Sequence, residues 1–83
     1  MVDEIRQRLT AALAPVELDV LDEGHKHAGH ANAGKGHFYV RIVSATFTGM
    51  LSVKRHRMVY AALDDLMNDG IHALSIDAKA PAA

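Results

Sequence analysis

The 83-residue chain contains no cysteine, so neither a disulfide framework nor a thiolate metal site braces its small core. No apolar run approaches the roughly 18 to 20 residues that cross a bilayer, and the opening MVDEIRQRLT is charged where a signal peptide is apolar. Membrane insertion and export are therefore not expected, and a cytoplasmic protein is. Net charge is nearly nil, with 9 basic against 10 acidic residues, which gives no sign of a dedicated nucleic-acid binder. Catalytic signatures are missing as well: no cysteine nucleophile, no G-x-S-x-G, no P-loop, and no carboxylate pair flanking a predicted cleft. An enzyme is the least expected class. Internal repeats are absent, and the length allows a single domain over residues 1–83.

Histidine is what the sequence has in excess, with six copies, four of them between His25 and His37. Charge is also unevenly spread. From Gly24 to Arg57 the chain holds Lys26, Lys35, Arg41, Lys54, Arg55 and Arg57 and no acidic residue, so acidic flanks bracket a basic, histidine-rich centre.

Ile5, Leu9 and Leu13 recur every four residues behind Asp3, a possible N-cap, and Pro15 ends the pattern, which predicts a helix over 4–13. Val16, Leu18 and Val20 alternate with Glu17 and Asp19, predicting a half-buried strand over 16–22. Residues 24–36 offer four Gly, three His and three Ala and nothing large to bury, and read as a long loop. HFYVRIVS predicts a second strand over 37–44, antiparallel to the first. Ser52 is placed to cap a helix whose stripe of Val59, Leu63, Leu66 and Met67 runs over 52–69 to Gly70. IHALSIDA predicts a third strand with His72, Leu74 and Ile76 on one face, and residues 79–83 are expected to fray.

The connection between the second and third strands passes through a full helix, which suits a right-handed parallel crossover. The expected fold is α+β: a two-layer α-β-β-α-β domain with a three-stranded mixed sheet, its helices on one face and a core spanning about 3–78. Parallel pairing starts both strands at the end where the loop delivers the chain. His72, His37 and the loop histidines therefore converge.

His25, His27 and His30 are imidazoles suited to zinc, copper, nickel or iron, and without cysteine such a site needs His72, His37 or a carboxylate for completion. The competing reading is a solvated polar loop. His56, beside Val59, Tyr60 and Leu63, is read as structural. Lys54, Arg55 and Arg57 crowd the start of the second helix while Asp64, Asp65 and Asp69 lie near its end, each opposing the macrodipole by a few tenths of a kcal/mol. The basic end is a candidate anion or acidic-partner site, against the plainer reading of a solvated charged face.

With DEGHKH, GHFYVRIVSATFTG, KRHRMVYAAL and IHALSI in this order and spacing, the chain resembles the BolA family over about residues 3–78. The resemblance implies a domain similar to the class II KH fold, agreeing with the topology read from periodicity. It further implies a non-enzymatic partner of a monothiol glutaredoxin of the CGFS type, forming a heterodimer bridged by a 2Fe-2S cluster that glutathione helps to hold. By position, the implied cluster ligands are His72 and His27, with His30 and His25 as alternatives for the loop ligand. No cofactor is implied for folding, and homodimerisation is left open.

Bacterial members are also described as transcriptional regulators, with nucleic-acid contacts in the helix-turn-helix-like stretch that here carries Lys54, Arg55 and Arg57. The KH G-x-x-G clamp is missing between the helices, so any DNA binding is expected to be weak and salt-sensitive. A third reading is a histidine-rich domain that takes zinc or copper opportunistically.

Overall fold

The computed structural model describes residues 1–24 and 36–82. In chain order these form helix α1 (Val2–Leu13), strand β1 (Glu17–Asp22), strand β2 (His37–Val43), a 3-10 turn (Ala45–Phe47), helix α2 (Ser52–Leu63), a second 3-10 turn (Asp64–Asn68) and strand β3 (Ala73–Lys79). The sheet order is β1-β2-β3, with β1 antiparallel and β3 parallel to the central β2. The expected α+β mixed sheet is therefore the observed one.

Four-residue spacing puts Ile5, Leu9 and Leu13 on one face of α1, and all three are buried. Ala14, in a left-handed conformation at φ 44°, returns its N–H to the Thr10 carbonyl at 3.1 Å, and Pro15 prevents the helix from resuming. Asp3 is not the N-cap. Met1 holds that position, and Asp3 and Glu4 lie in the first turn, where their charge favours the dipole.

Along β1 the alternation is as read, except that Val16 precedes the strand and is 66% exposed. Its N–H still reaches the Val43 carbonyl at 2.8 Å, so the side chain lies beyond the sheet's covered area while the backbone remains tied to it. In β2, Phe38, Val40 and Ile42 are buried, with register partners Leu18 and Val20 on one side and Leu74, Ile76 and Ala78 on the other. Strand alternation places this row on one face, and it packs in one core with Ile5, Leu9, Val59 and Leu63 of the helices. Both helices thus cover the same face. Each fully buried side chain of this size contributes about 1.5–3 kcal/mol.

The link from β2 to α2 supplies core that the periodic pattern did not predict. Ser44, almost fully buried, accepts from the Thr46 N–H at 3.1 Å and donates through Oγ to the Leu13 carbonyl at 2.5 Å. That turn drives Phe47 into the centre of the core, where it is inaccessible to solvent.

Helix α2 is shorter than the expected 52–69. Ser52 is its first residue, with Leu51 as an N-cap that makes no side-chain bond, and Asp64, at φ 17° and ψ −96°, breaks it. The following 3-10 turn narrows the path so that Leu66 and then Ile71 become buried, which a continued α-helix would not do for both. Arg8 of α1 grips the turn through a forked contact to Asp65, the shorter bond 2.5 Å. The C-terminal segment is better held than expected. Lys79 pairs with Val43, its carbonyl receives the Ser44 N–H at 3.0 Å, and Ala80 packs against the core.

Candidate functional site

One end of the sheet gathers the start of β2, the start of β3 and both stems of the segment between β1 and β2. The Glu23 N–H donates to the His37 carbonyl at 2.8 Å, closing the antiparallel ladder at its last pair. On the other side of β2, the Gly36 carbonyl accepts the backbone N–H groups of His72 at 2.8 Å and Ala73 at 3.1 Å. Gly36 has φ 71°, and a Cβ there would run into the Gly70 carbonyl and the His72 nitrogen. Glycine is required at this crossing for both its backbone angle and its lack of a side chain.

This latch sets two imidazoles side by side. His37 is half-buried as the first residue of β2, and His72 is exposed at the bend immediately before β3. Their ring centroids are 5.5 Å apart with planes 26° from parallel, a stacked pair. The expected meeting of His37 and His72 is observed. His72 differs from expectation in being exposed and outside the strand rather than part of its apolar face, because the Gly70 to His72 turn has not yet settled into strand geometry.

His25, His27 and His30, the candidate loop ligands, lie outside the described residues, as do Lys26 and Lys35. What the structure does fix is the pair of stems that bracket them, Gly36–His37 hydrogen-bonded to His72 and Glu23–Gly24 on the far side of β2 at the same end of the sheet. Among the described residues no three His, Asp or Glu side chains gather into a metal-binding group.

The second candidate region is the start of α2. Lys54 and Arg57 are exposed there, as are the apolar Leu51 (79%) and Val53 (59%). Arg55 differs: it is half-buried, donates through Nη1 to the Ala78 carbonyl at 3.2 Å, and has a buried Nε without a hydrogen-bond partner among the described residues. Ala78 belongs to the alternate residues of β3 whose backbone groups face away from β2, so Arg55 covers an open carbonyl on that sheet edge. Arg6 does the same on the opposite edge, donating to the Leu18 carbonyl at 3.1 Å. Neither edge role is visible in the sequence, since an arginine near an apolar stripe carries no mark of the carbonyl it will meet. His56 is half-buried in α2, consistent with its structural reading.

The uncovered sheet face carries charge in a paired arrangement. Arg41 lies between Glu17 and Asp19, at 3.4 and 3.2 Å, and Glu17 above all holds its guanidinium pKa above the usual value. The positive charge of the chain's centre is thus partly neutralised at Arg41 and, among the described residues, left open at Lys54 and Arg57.

A protein-family model described as BolA-like protein matches residues 9–83. Among curated proteins, the chain is 49% identical to SufE-like protein 1, chloroplastic/mitochondrial, of Arabidopsis thaliana over 94% of this chain and 23% of that protein. It is 39% identical to the DNA-binding transcriptional regulator BolA of Escherichia coli (strain K12), over 89% of this chain and 70% of that one. The chain therefore spans about a quarter of the first relative and more than two thirds of the second. Among solved structures, the BolA domain of SufE1 from Arabidopsis thaliana superposes with a TM-score of 0.86 at 50% identity, covering 96% of this chain and 91% of that domain.

Proposed function

Because the chain belongs to the BolA-like protein family, we propose that it serves as a non-enzymatic partner of a monothiol CGFS glutaredoxin. In this reading the two proteins hold a 2Fe-2S cluster between them, for cluster trafficking or iron regulation, with His72 as this chain's fixed ligand and a loop histidine, His27 first, as the other. The observation that carries it is the exposed His72 imidazole, stacked on His37 at one stem of the histidine-bearing segment and at the same end of the sheet as the other stem. Donor chemistry supports it too, since a chain without cysteine can offer iron no thiolate, and the glutaredoxin and its glutathione then provide the thiolates. Bound in this way, the cluster would supply one-electron chemistry at a potential raised by its imidazole ligands.

This chain's own residues do the positioning. Gly36 ties the backbone of His72 to the head of β2, so the imidazole projects from a hydrogen-bonded corner rather than from a free loop. Visible circular dichroism of the protein mixed with a cluster-loaded glutaredoxin tests the reading. A new spectrum that His72→Ala abolishes supports it, and an unaltered glutaredoxin spectrum refutes it.

A second reading, DNA binding through α2, is favoured by the exposed Lys54 and Arg57 and by the name of the Escherichia coli relative. It predicts phosphate contacts without base readout, hence weak binding. No helix among the described residues is long and apolar enough to cross a membrane. The cytoplasmic placement rests on the lack of cysteine, and the Arabidopsis relative's organellar name belongs to that protein.

A further inference from the structure

We infer that His37 is a positioning residue for His72: its ring is the platform that holds the His72 imidazole in one orientation, and it is not itself a ligand. The inference rests on the cluster-partner reading for its purpose, while the geometry stands on its own. The two rings differ in how firmly they are held. His37 is half-buried, sits in β2 opposite Ala73, and has its carbonyl engaged by the Glu23 N–H at 2.8 Å. His72 is exposed and precedes its strand, so its backbone is tied through Gly36 while its side chain has open solvent on one side. A stacked ring at 5.5 Å is the contact that selects one of the staggered side-chain orientations otherwise open to it.

His37 takes the supporting role because it is the more firmly held ring, half-buried in β2 where His72 is exposed. An imidazole coordinates through a lone pair in its ring plane, with the metal about 2.0–2.1 Å from nitrogen. Ligation needs that plane open to the metal, and exposure gives His72 that opening. One ring is thus free to bind and the other to support it, as outer partners commonly orient a ligating histidine.

The test separates stacking from ligation by replacing His37 with a ring that cannot bind metal. In the isolated chain, NMR ring-proton shifts and side-chain couplings of His72 are compared for the native protein, His37→Phe and His37→Ala, with thermal unfolding recorded alongside. His72 is expected to keep a single orientation in the native and Phe forms and to average over several in the Ala form. A His72 signal unmoved by His37→Ala overturns the proposal. In the mixture with cluster-loaded glutaredoxin, His37→Ala is expected to weaken cluster retention by about 10- to 100-fold and His37→Phe to restore most of it. A Phe variant as defective as the Ala variant, with folding intact, assigns His37 as a ligand and also overturns the proposal. Failure of the native chain to alter the glutaredoxin spectrum strikes the cluster reading alone, and the NMR comparison still decides the stack.

Discussion

Arg55 and His72 stand at opposite ends of β3: the Arg55 guanidinium donates to the Ala78 carbonyl, and His72 lies just ahead of Ala73, where the strand begins. At about 3.3 Å per residue the two ends are roughly 20 Å apart along the strand. The histidine site and the basic start of α2 are therefore separate surfaces. A partner that engages one does not automatically engage the other, and variants at the two ends should act additively on distinct readouts.

Arg55 is expected to matter for stability rather than for anion binding. Arg55→Ala removes a charged hydrogen bond to a strand-edge carbonyl and lowers stability by about 1–3 kcal/mol. Lys54→Ala, at an exposed position, should stay within about 0.5 kcal/mol. Thermal unfolding of the two variants checks this, and equal midpoints would contradict it.

If α2 touches DNA, the exposed Lys54 and Arg57 are its cations placed to do so. With about two phosphates neutralised, the logarithm of the binding constant should fall against the logarithm of salt with a slope near −2. Charge reversal at both positions should abolish binding on all sequences alike, whereas His72→Ala should leave it unchanged. Fluorescence anisotropy across a salt series measures both.

Gly36→Ala is expected to be among the most damaging small substitutions in the chain. Its left-handed backbone angle alone costs a β-carbon about 1–2 kcal/mol, and the new atom also meets the backbone of Gly70 and His72. Gly49→Ala is the control: its φ of 78° carries the same angular strain, but no described residue lies within 4 Å of the added carbon. Denaturant unfolding should show a clearly larger loss for Gly36→Ala, accompanied by displaced His72 resonances.

Much of this arrangement is legible in the sequence, and the rest is not, for identifiable reasons. Period-4 and period-2 spacing place α1 and the strands because each has one buried face, and a helix between β2 and β3 implies parallel pairing, which is what brings His37 to His72. The end of α2 is different. Leu66 continues the helical stripe, so periodicity alone extends the helix to residue 69, whereas Asp64 breaks it and a 3-10 turn buries Leu66 by another route. Phe47 enters the core through a buried side-chain hydrogen bond from Ser44 to Leu13, 31 residues apart, which no local pattern records. Charge alone groups Arg55 with Lys54 and Arg57, and its contact with the Ala78 carbonyl sets it apart.

The Arg8 to Asp65 ion pair predicts a pH dependence on the acid side. The hydrogen bond from Arg8 holds the Asp65 carboxyl below its usual value. A group depressed by folding contributes stability that is fully present above its unfolded pKa, about 3.9, and is lost as pH falls through the folded value. The gap in unfolding midpoint between native protein and Asp65→Asn should be present at neutral pH and close below about pH 4. The pair is exposed, so the gap should also narrow in high salt.

The central claim is that an imidazole of this chain, that of His72, binds the shared cluster. The most direct measurement is pulsed electron paramagnetic resonance of the reduced cluster in the glutaredoxin complex, with this chain alone labelled with 15N-histidine. Strong 15N couplings from coordinated imidazole are expected, with the His72 contribution lost in His72→Ala while that of the loop histidine stays, and both kept in His37→Phe. A reduced cluster with no coordinated 15N, or with couplings unchanged when His72 is replaced, would contradict it.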